Sequence, residues 1–185
     1  MSHPNVLEAV DCVLLVVDLQ DSLLRVIHES DKIIANTIKL IEAAKILSIP
    51  ILLTVQYKEK LGPTTKAVAD ALPAGVVEID KTTFSCVDGE GFEELLGRSL
   101  RRQVIICGVE THVCVNQTAH DLLVDGYSVH IVSDAVSSRT VENRYAGLNK
   151  MQQSGCLITS TEMAIFELLK DASRPEFKKM LPFVK

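Results

Sequence analysis

Short apolar segments alternate with longer amphipathic segments along the chain. Residues 13–17 are all aliphatic, which is typical of a strand buried on both faces. Residues 31–47 follow with apolar positions three and four residues apart, as in a helix that packs one face against a core. The alternation continues to residue 169 and predicts six strands, at residues 13–17, 51–55, 76–79, 104–107, 129–132 and 156–158.

Strands that alternate with helical segments indicate βαβ units and a parallel sheet. The predicted fold class is therefore α/β, with three α/β/α layers around a six-stranded, mostly parallel sheet, in one domain over residues 1–185. The commonest order of six such strands places the first and fourth strands side by side, where the winding of the sheet reverses. Ligands bind at the carboxyl ends of the strands at this switch point.

Local signals also predict where several helices begin and end. Asp31 is predicted to cap the helix that runs to about residue 47. Thr159 and Glu162 have the spacing of a capping box for a helix that ends at residue 169. Gly155 is the expected C′ residue of the helix before it.

Composition and charge narrow the class of protein. Hydrophobic residues make up 47% of the 185 residues, which indicates a globular chain, and no apolar run approaches the ~20 residues that would span a membrane. The net charge of -5 argues against a nucleic-acid partner. Five cysteines, an odd number, and the absence of a recognisable secretory signal predict reduced thiols in the cytoplasm.

Three chemically useful residues fall at the carboxyl ends of predicted strands. Asp18 ends the first strand, Lys81 follows the third, and Cys114 opens the helix after the fourth. The carboxyl ends of parallel strands share one edge of the sheet, so we expect these residues to lie close together. The start of a helix also offers free N–H groups and a positive dipole end, which would lower the pKa of the Cys114 thiol.

An aspartate, a lysine and a cysteine at one edge predict an acyl-transfer site. The thiolate would attack a carbonyl carbon, Asp18 would carry the proton, and Lys81 would stabilise both anions. Simpler interpretations stay open for each residue: Cys114 as a small buried residue, Asp18 as a helix cap, and Lys81 as a solvated surface residue.

Two other residues in the same region have open interpretations. His112 is either a general base or a partly exposed residue beside the helix start. Cys86 falls in a predicted loop, a position that allows exposure of its thiol.

Several motifs together resemble those of the isochorismatase-like cysteine hydrolases. They are VDLQ at residues 17–20, KTTFS at 81–85 and GVETHVCV at 108–115. Within that family, QY at residues 56–57, LGPT at 61–64, VSDA at 132–135 and SSR at 137–139 resemble the eukaryotic isochorismatase domain-containing proteins. The resemblance covers nearly the whole chain.

The resemblance implies a site and an activity. The family's catalytic triad falls on Asp18, Lys81 and Cys114, and its non-proline cis peptide bond falls between Val109 and Glu110. The backbone amides of Glu110 and Cys114 would form the oxyanion hole. Many members hydrolyse C–N bonds of small amides through a thioester, and members usually form dimers or larger homo-oligomers.

The chain departs from the metal-dependent nicotinamidases of this family, which carry an Asp-x-His motif after the second strand. Here that loop begins with Gln56 and Tyr57, so neither a metal nor another cofactor is expected. Gln20, Gln56, Tyr57 and Phe84 are predicted to contact a small-molecule substrate because they neighbour the triad positions. A non-enzymatic binding protein and a redox-responsive thiol protein are the competing hypotheses.

Overall fold

Six parallel strands form one sheet in the computed structural model, which describes residues 3–184; residues 1, 2 and 185 of the predicted domain lie outside the described part. The strand order is β3-β2-β1-β4-β5-β6, and every pairing is parallel. The predicted fold class is thereby confirmed, and so is the predicted pairing of the first strand with the fourth. The strands are β1 Cys12–Val17, β2 Ile51–Gln56, β3 Glu78–Lys81, β4 Gln103–Val109, β5 Ser128–Ser137 and β6 Leu157–Thr159.

Helices cover both faces of the sheet. Alternate residues of β1 point to opposite faces, and both sets are apolar, so each face packs against helices. Leu14 and Val16 belong to the core cluster that includes residues of α2, α4 and α8, whereas Val13 and Leu15 belong to the cluster with α5, α6 and α7. The helices are α1 Asp21–Leu24, α2 Ser30–Leu47, α3 Lys58–Leu61, α4 Lys66–Ala71, α5 Phe92–Arg98, α6 Asn116–Val124, α7 Val141–Gln153, α8 Thr161–Leu169 and α9 Pro175–Val184.

The third strand lies two residues later than predicted. Val77, inside the apolar run that suggested residues 76–79, is 68% exposed. Pairing with β2 sets the boundaries instead, because Leu53 to Gln56 pair in order with Glu78 to Lys81. Lys81 is therefore the last residue of the strand, directly beside Gln56.

Two predicted helix caps are wrong, and one predicted helix end is confirmed. Asp31 lies in the first turn of α2, which already begins at Ser30. Ser160, not Thr159, caps α8: Thr159 still belongs to β6, and the Ser160 side chain accepts a hydrogen bond from the Met163 amide. Gly155 does follow α7, with a φ of +108°. Across residues 3–184, none of the helices combines the length and the apolarity that crossing a membrane requires.

Candidate active site

Asp18 lies at the switch point, immediately after β1 and between the ends of β2 and β4. It is fully buried and has a left-handed backbone with a φ of +51°. Its amide donates to the Thr54 carbonyl at 3.1 Å. The Thr54 hydroxyl donates to Asp18 Oδ1 at 2.8 Å, which fixes one carboxylate oxygen and leaves the other directed elsewhere.

Lys81 reaches Asp18 from two strands away, across the end of β2. Its ammonium group is 2.7 Å from Asp18 Oδ2, and both side chains are fully buried. The same nitrogen donates to Gln56 Oε1 at 2.6 Å and approaches the carbonyl oxygens of Thr83 and Phe84 at 3.3 and 3.4 Å. Burial alone lowers the pKa of Lys81, but the opposing effects of Asp18, Cys86 and Cys114 leave the pKa above its ordinary value. The lysine is therefore a buried cation and not a solvated surface residue.

Cys114 lies on the other side of the switch point, after β4. The Val109–Glu110 peptide bond is cis, and a π-helical turn, Thr111–Val115, precedes α6. The chain thus reaches Cys114 through a π-helical turn, where the sequence predicted the first turn of a regular helix. Such turns are frequent at functional sites. Cys114 as a whole residue is 7% exposed, and its sulfur lies 4.0 Å from Gln56 Oε1.

The expected lowering of the Cys114 pKa is wrong for the resting protein. Burial raises the pKa of the Cys114 thiol well above its ordinary value, and the charge of Asp18 and a hydrogen bond to it raise it further. Only Lys81 acts in the opposite direction. A helix start was visible in the sequence, but the depth of the thiol and its contact with Asp18 were not. In the resting protein Cys114 is therefore a protonated thiol beside the Asp18 side chain.

Alkylation of Cys114 by iodoacetamide should therefore be slow at neutral pH and should still accelerate above pH 9.0, the ordinary thiol pKa. A raised pKa means that the reactive thiolate accumulates only above the ordinary value. Peptide-resolved mass spectrometry measures the rate, with Cys114→Ala as the background. Lys81→Ala should shift the profile to still higher pH, because it removes the cation that favours the thiolate. A plot of alkylation rate against pH with its midpoint below pH 8 would contradict the raised pKa of Cys114.

The predicted substrate contacts do not all line the site. Gln20 is fully buried, and its side chain donates to the carbonyls of Gln56 and Gly62 and accepts from the Gln56 amide. That use satisfies the carboxamide, so Gln20 secures the Gln56 loop, and its contact with a substrate stays a prediction. Tyr57 and Phe84 are 41% and 54% exposed, and their backbones contact Lys81. Both side chains are therefore exposed, on residues whose backbones lie next to Lys81.

Thr54 and Cys86 belong to the site although the sequence analysis did not identify them. Cys86 is fully buried, not exposed, and its sulfur is 3.6 Å from the Thr54 hydroxyl. Burial and the nearby Asp18 raise the pKa of Cys86 to about 11. A polar residue inside the apolar run of β2 was the signal that marked Thr54; nothing in the sequence marked Cys86.

The remaining predicted residues surround the cis peptide bond. The Glu110 side chain accepts from the backbone and the guanidinium of Arg139, at 3.0 and 3.1 Å, and the Glu110 carbonyl accepts from the amides of Val113 and Val115. His112 is hydrogen-bonded to Ser138 at 3.0 Å and is half-buried. Over residues 3–184, no cluster of three or more His, Cys, Asp or Glu side chains is placed to hold a metal ion.

Comparison with known proteins places this geometry in a family. Residues 12–163 match the model of the isochorismatase domain. Isochorismatase domain-containing protein 2A of Mus musculus is 39% identical over 173 residues, which are 94% of this chain and 82% of that protein.

Two solved structures share the whole fold. MAR1 ribonuclease from Caenorhabditis elegans superimposes with a TM-score of 0.92 at 36% identity, over 97% of this chain and 92% of its own. The YcaC gene product of Escherichia coli, described as an octameric hydrolase of unknown specificity, superimposes with a TM-score of 0.91 at 25% identity, over 99% and 92%. The chain belongs to the isochorismatase family and is related to the isochorismatase domain-containing proteins.

Proposed function

We propose that this protein is a cysteine hydrolase that cleaves a small amide or a related carbonyl compound through a thioester on Cys114. The main support is the buried Asp18–Lys81 ion pair, with its 2.7 Å contact, beside the only slightly exposed Cys114 thiol. Burying a charged pair costs free energy, so a buried pair beside a thiol indicates a chemical role for that pair. Proton transfer to and from a thiol is such a role.

The proposed reaction has two halves that share Asp18 as the proton carrier. Cys114 Sγ bonds to the carbonyl carbon while its proton passes to Asp18, and the C–N bond breaks as Asp18 gives that proton to the nitrogen. Water then loses a proton to Asp18 and adds to the thioester carbon. The C–S bond breaks, and the sulfur recovers the proton from Asp18. The sum is amide plus water to carboxylic acid plus amine, without a change in oxidation state.

In the same proposal, the backbone amides of Glu110 and Cys114 stabilise the negative oxygen of the tetrahedral intermediate. Oriented amides in a site from which water is excluded are worth far more than the same amides in water. Lys81 serves a different purpose: its contacts with Asp18, Gln56 and two carbonyls occupy its protons, so it holds the carboxylate and the Gln56 oxygen in place.

Tyr57 and Phe84 are proposed to receive the apolar part of the substrate. Both are exposed large side chains beside a buried ion pair whose charges cancel. A small neutral molecule with an apolar or flat group suits two exposed aromatic side chains beside a neutral ion pair.

The competing functions have less support. A redox sensor would have an exposed thiol of low pKa, whereas Cys114 is buried and its pKa is raised. A simple binding protein would not need a proton acceptor held beside a thiol. The structural relative from Caenorhabditis elegans is named a ribonuclease, but the net charge of -5 here does not favour a nucleic-acid substrate.

Turnover of a panel of small aliphatic and aromatic amides tests the proposal. Wild-type protein should release ammonia or amine, and acid quenching should trap an acyl group on the Cys114 peptide. Cys114→Ala should show neither signal, and prior treatment with a metal chelator should leave the activity unchanged. Folded wild-type protein that turns over no amide and forms no acyl-enzyme, or activity that persists in Cys114→Ala, would refute the proposed mechanism.

Assembly into a homodimer or a larger homo-oligomer, in the cytoplasm, belongs to the same proposal. The octameric YcaC gene product supports self-association within this fold. The five cysteines are all free, as expected in a reducing compartment. A monomer of about 20 kDa by light scattering at micromolar concentration would contradict the first part, and cell fractionation tests the second.

A further inference from the structure

Gln56 lies between Lys81 and Cys114, and its side-chain oxygen faces both of them. Gln56 Oε1 accepts a hydrogen bond of 2.6 Å from Lys81 Nζ and is 4.0 Å from Cys114 Sγ. The side chains of Asp18 and Lys81 are fully buried, whereas Gln56 is partly exposed. Within this network, Gln56 is therefore the partly exposed acceptor next to the thiol.

The orientation of the Gln56 carboxamide is fixed by its partners. Its nitrogen donates to the Thr82 carbonyl at 2.9 Å, while its oxygen accepts from Lys81. A carbonyl only accepts and a lysine only donates, so the two ends of the amide cannot exchange places. The backbone amide of Gln56 donates to the buried Gln20 side chain at 2.8 Å, which holds the residue at the end of β2.

We infer that Gln56 Oε1 accepts a hydrogen bond from the N–H of the substrate and thereby selects amides over esters; this rests on the proposed hydrolysis at Cys114. A carboxamide oxygen has two lone pairs, and Lys81 uses one of them. In the resting site the second faces the Cys114 thiol. Once the thiol proton has passed to Asp18, the second lone pair is open beside the atom that attacks.

The position of this oxygen suits the leaving nitrogen. In the tetrahedral intermediate, the nitrogen is bonded to the same carbon as the sulfur, so an acceptor 4.0 Å from the sulfur is within its reach. An N–H directed at Gln56 leaves the nitrogen lone pair free to turn toward Asp18, which must protonate it before the C–N bond breaks. Gln56 would therefore align the nitrogen for the step that releases the amine.

An ester in the same place would meet an unfavourable contact. Its leaving oxygen carries no hydrogen, so two acceptor oxygens would face each other, and the Gln56 lone pair would be left without a partner. A neutral acceptor has a second advantage over a carboxylate at this position. A further negative charge beside Asp18 would raise the already elevated pKa of Cys114 still more.

Two chromogenic substrates that differ only in the leaving atom test this inference. They are p-nitrophenyl acetate and p-nitroacetanilide, which share the acetyl group and release p-nitrophenol and p-nitroaniline. Gln56→Leu removes the acceptor at similar size, and Gln56→Glu keeps an acceptor oxygen. Gln152→Leu, at an exposed glutamine of α7, is the matched control.

The quantity to compare is the ratio of kcat/KM for the anilide to kcat/KM for the ester. Gln56→Leu should lower this ratio about tenfold, the value of one neutral hydrogen bond. Gln56→Glu should be slower on both substrates, because the thiol pKa rises, yet should keep the ratio. Gln152→Leu should change neither the rates nor the ratio.

An unchanged ratio in Gln56→Leu overturns the inference, whatever happens to the two absolute rates. Wild-type protein that acylates Cys114 from the ester but never from the anilide also overturns it, while the cysteine nucleophile stands. If neither compound acylates Cys114, as judged by mass spectrometry, the proposed function fails and the inference fails with it.

Discussion

Exchanging Asp18 for asparagine is expected to slow amide hydrolysis by roughly 10²–10⁴-fold, the usual contribution of a positioned proton carrier. Asparagine has nearly the same shape and tolerates the left-handed φ of +51° at this position better than almost any other residue. The Thr54 hydroxyl keeps an oxygen to which it can donate. The variant therefore loses the proton acceptor while the local backbone is preserved.

The same exchange also leaves Lys81 as a buried cation without its carboxylate. Removal of one partner of a buried ion pair typically costs about 3–5 kcal/mol of the free energy of unfolding. A loss of activity must then be separated from a loss of folding, so the double variant Asp18→Asn with Lys81→Met is the decisive comparison. It removes both charges, and its stability should return toward the wild-type value.

Activity should not return with stability in the double variant, because the proton carrier is still missing. Urea unfolding and kcat/KM, measured on the same preparations, separate the two effects. Turnover within tenfold of wild type in either variant would exclude Asp18 as the proton carrier. Recovery of both stability and activity in the double variant would mean that the ion pair has only a structural purpose.

The sequence predicted the arrangement of the sheet better than the ends of its elements. Buried parallel strands have unbroken apolar runs, so residues 13–17 and 104–107 indicated β1 and β4 directly. The meeting of Asp18 and Cys114 followed from topology, because the carboxyl ends of parallel strands share an edge. Val76 and Val77, in contrast, misplaced the third strand, because hydrogen bonding to β2 sets its boundaries and not hydrophobicity.

The sequence did not predict the features of the site that depend on burial. Gln20 and Gln56 both neighbour the triad residues, yet one is a fully satisfied buried amide and the other faces the thiol. The difference arises because the end of β2 and the loop after it supply the hydrogen-bond partners of Gln20, and the sequence does not show the path of that loop. The direction of the Cys114 pKa has the same origin, since desolvation raises the pKa of a thiol that is only 7% exposed beside Asp18.

Gly108→Ala should prevent folding or lower the free energy of unfolding by more than about 4 kcal/mol, an exceptional loss for one methyl group. Gly108 pairs with Val17 where β4 and β1 meet, and its φ is +119°. A Cβ atom there would lie 2.0 Å from the Val17 carbonyl oxygen. The neighbour is backbone and cannot rotate away, so the two central strands would have to separate beside Asp18.

The matched control is Gly97→Ala in α5, where an added Cβ meets nothing within 4 Å and φ is ordinary. Alanine in a helix interior is favoured over glycine by up to about 1 kcal/mol, so this variant should be as stable as wild type or slightly more stable. Urea unfolding of both variants provides the comparison. A folded Gly108→Ala protein with a free energy of unfolding within about 1 kcal/mol of wild type would contradict this prediction. It would show that β1 and β4 can move apart without loss of stability, and that the close backbone contact before Asp18 is not needed to position the site.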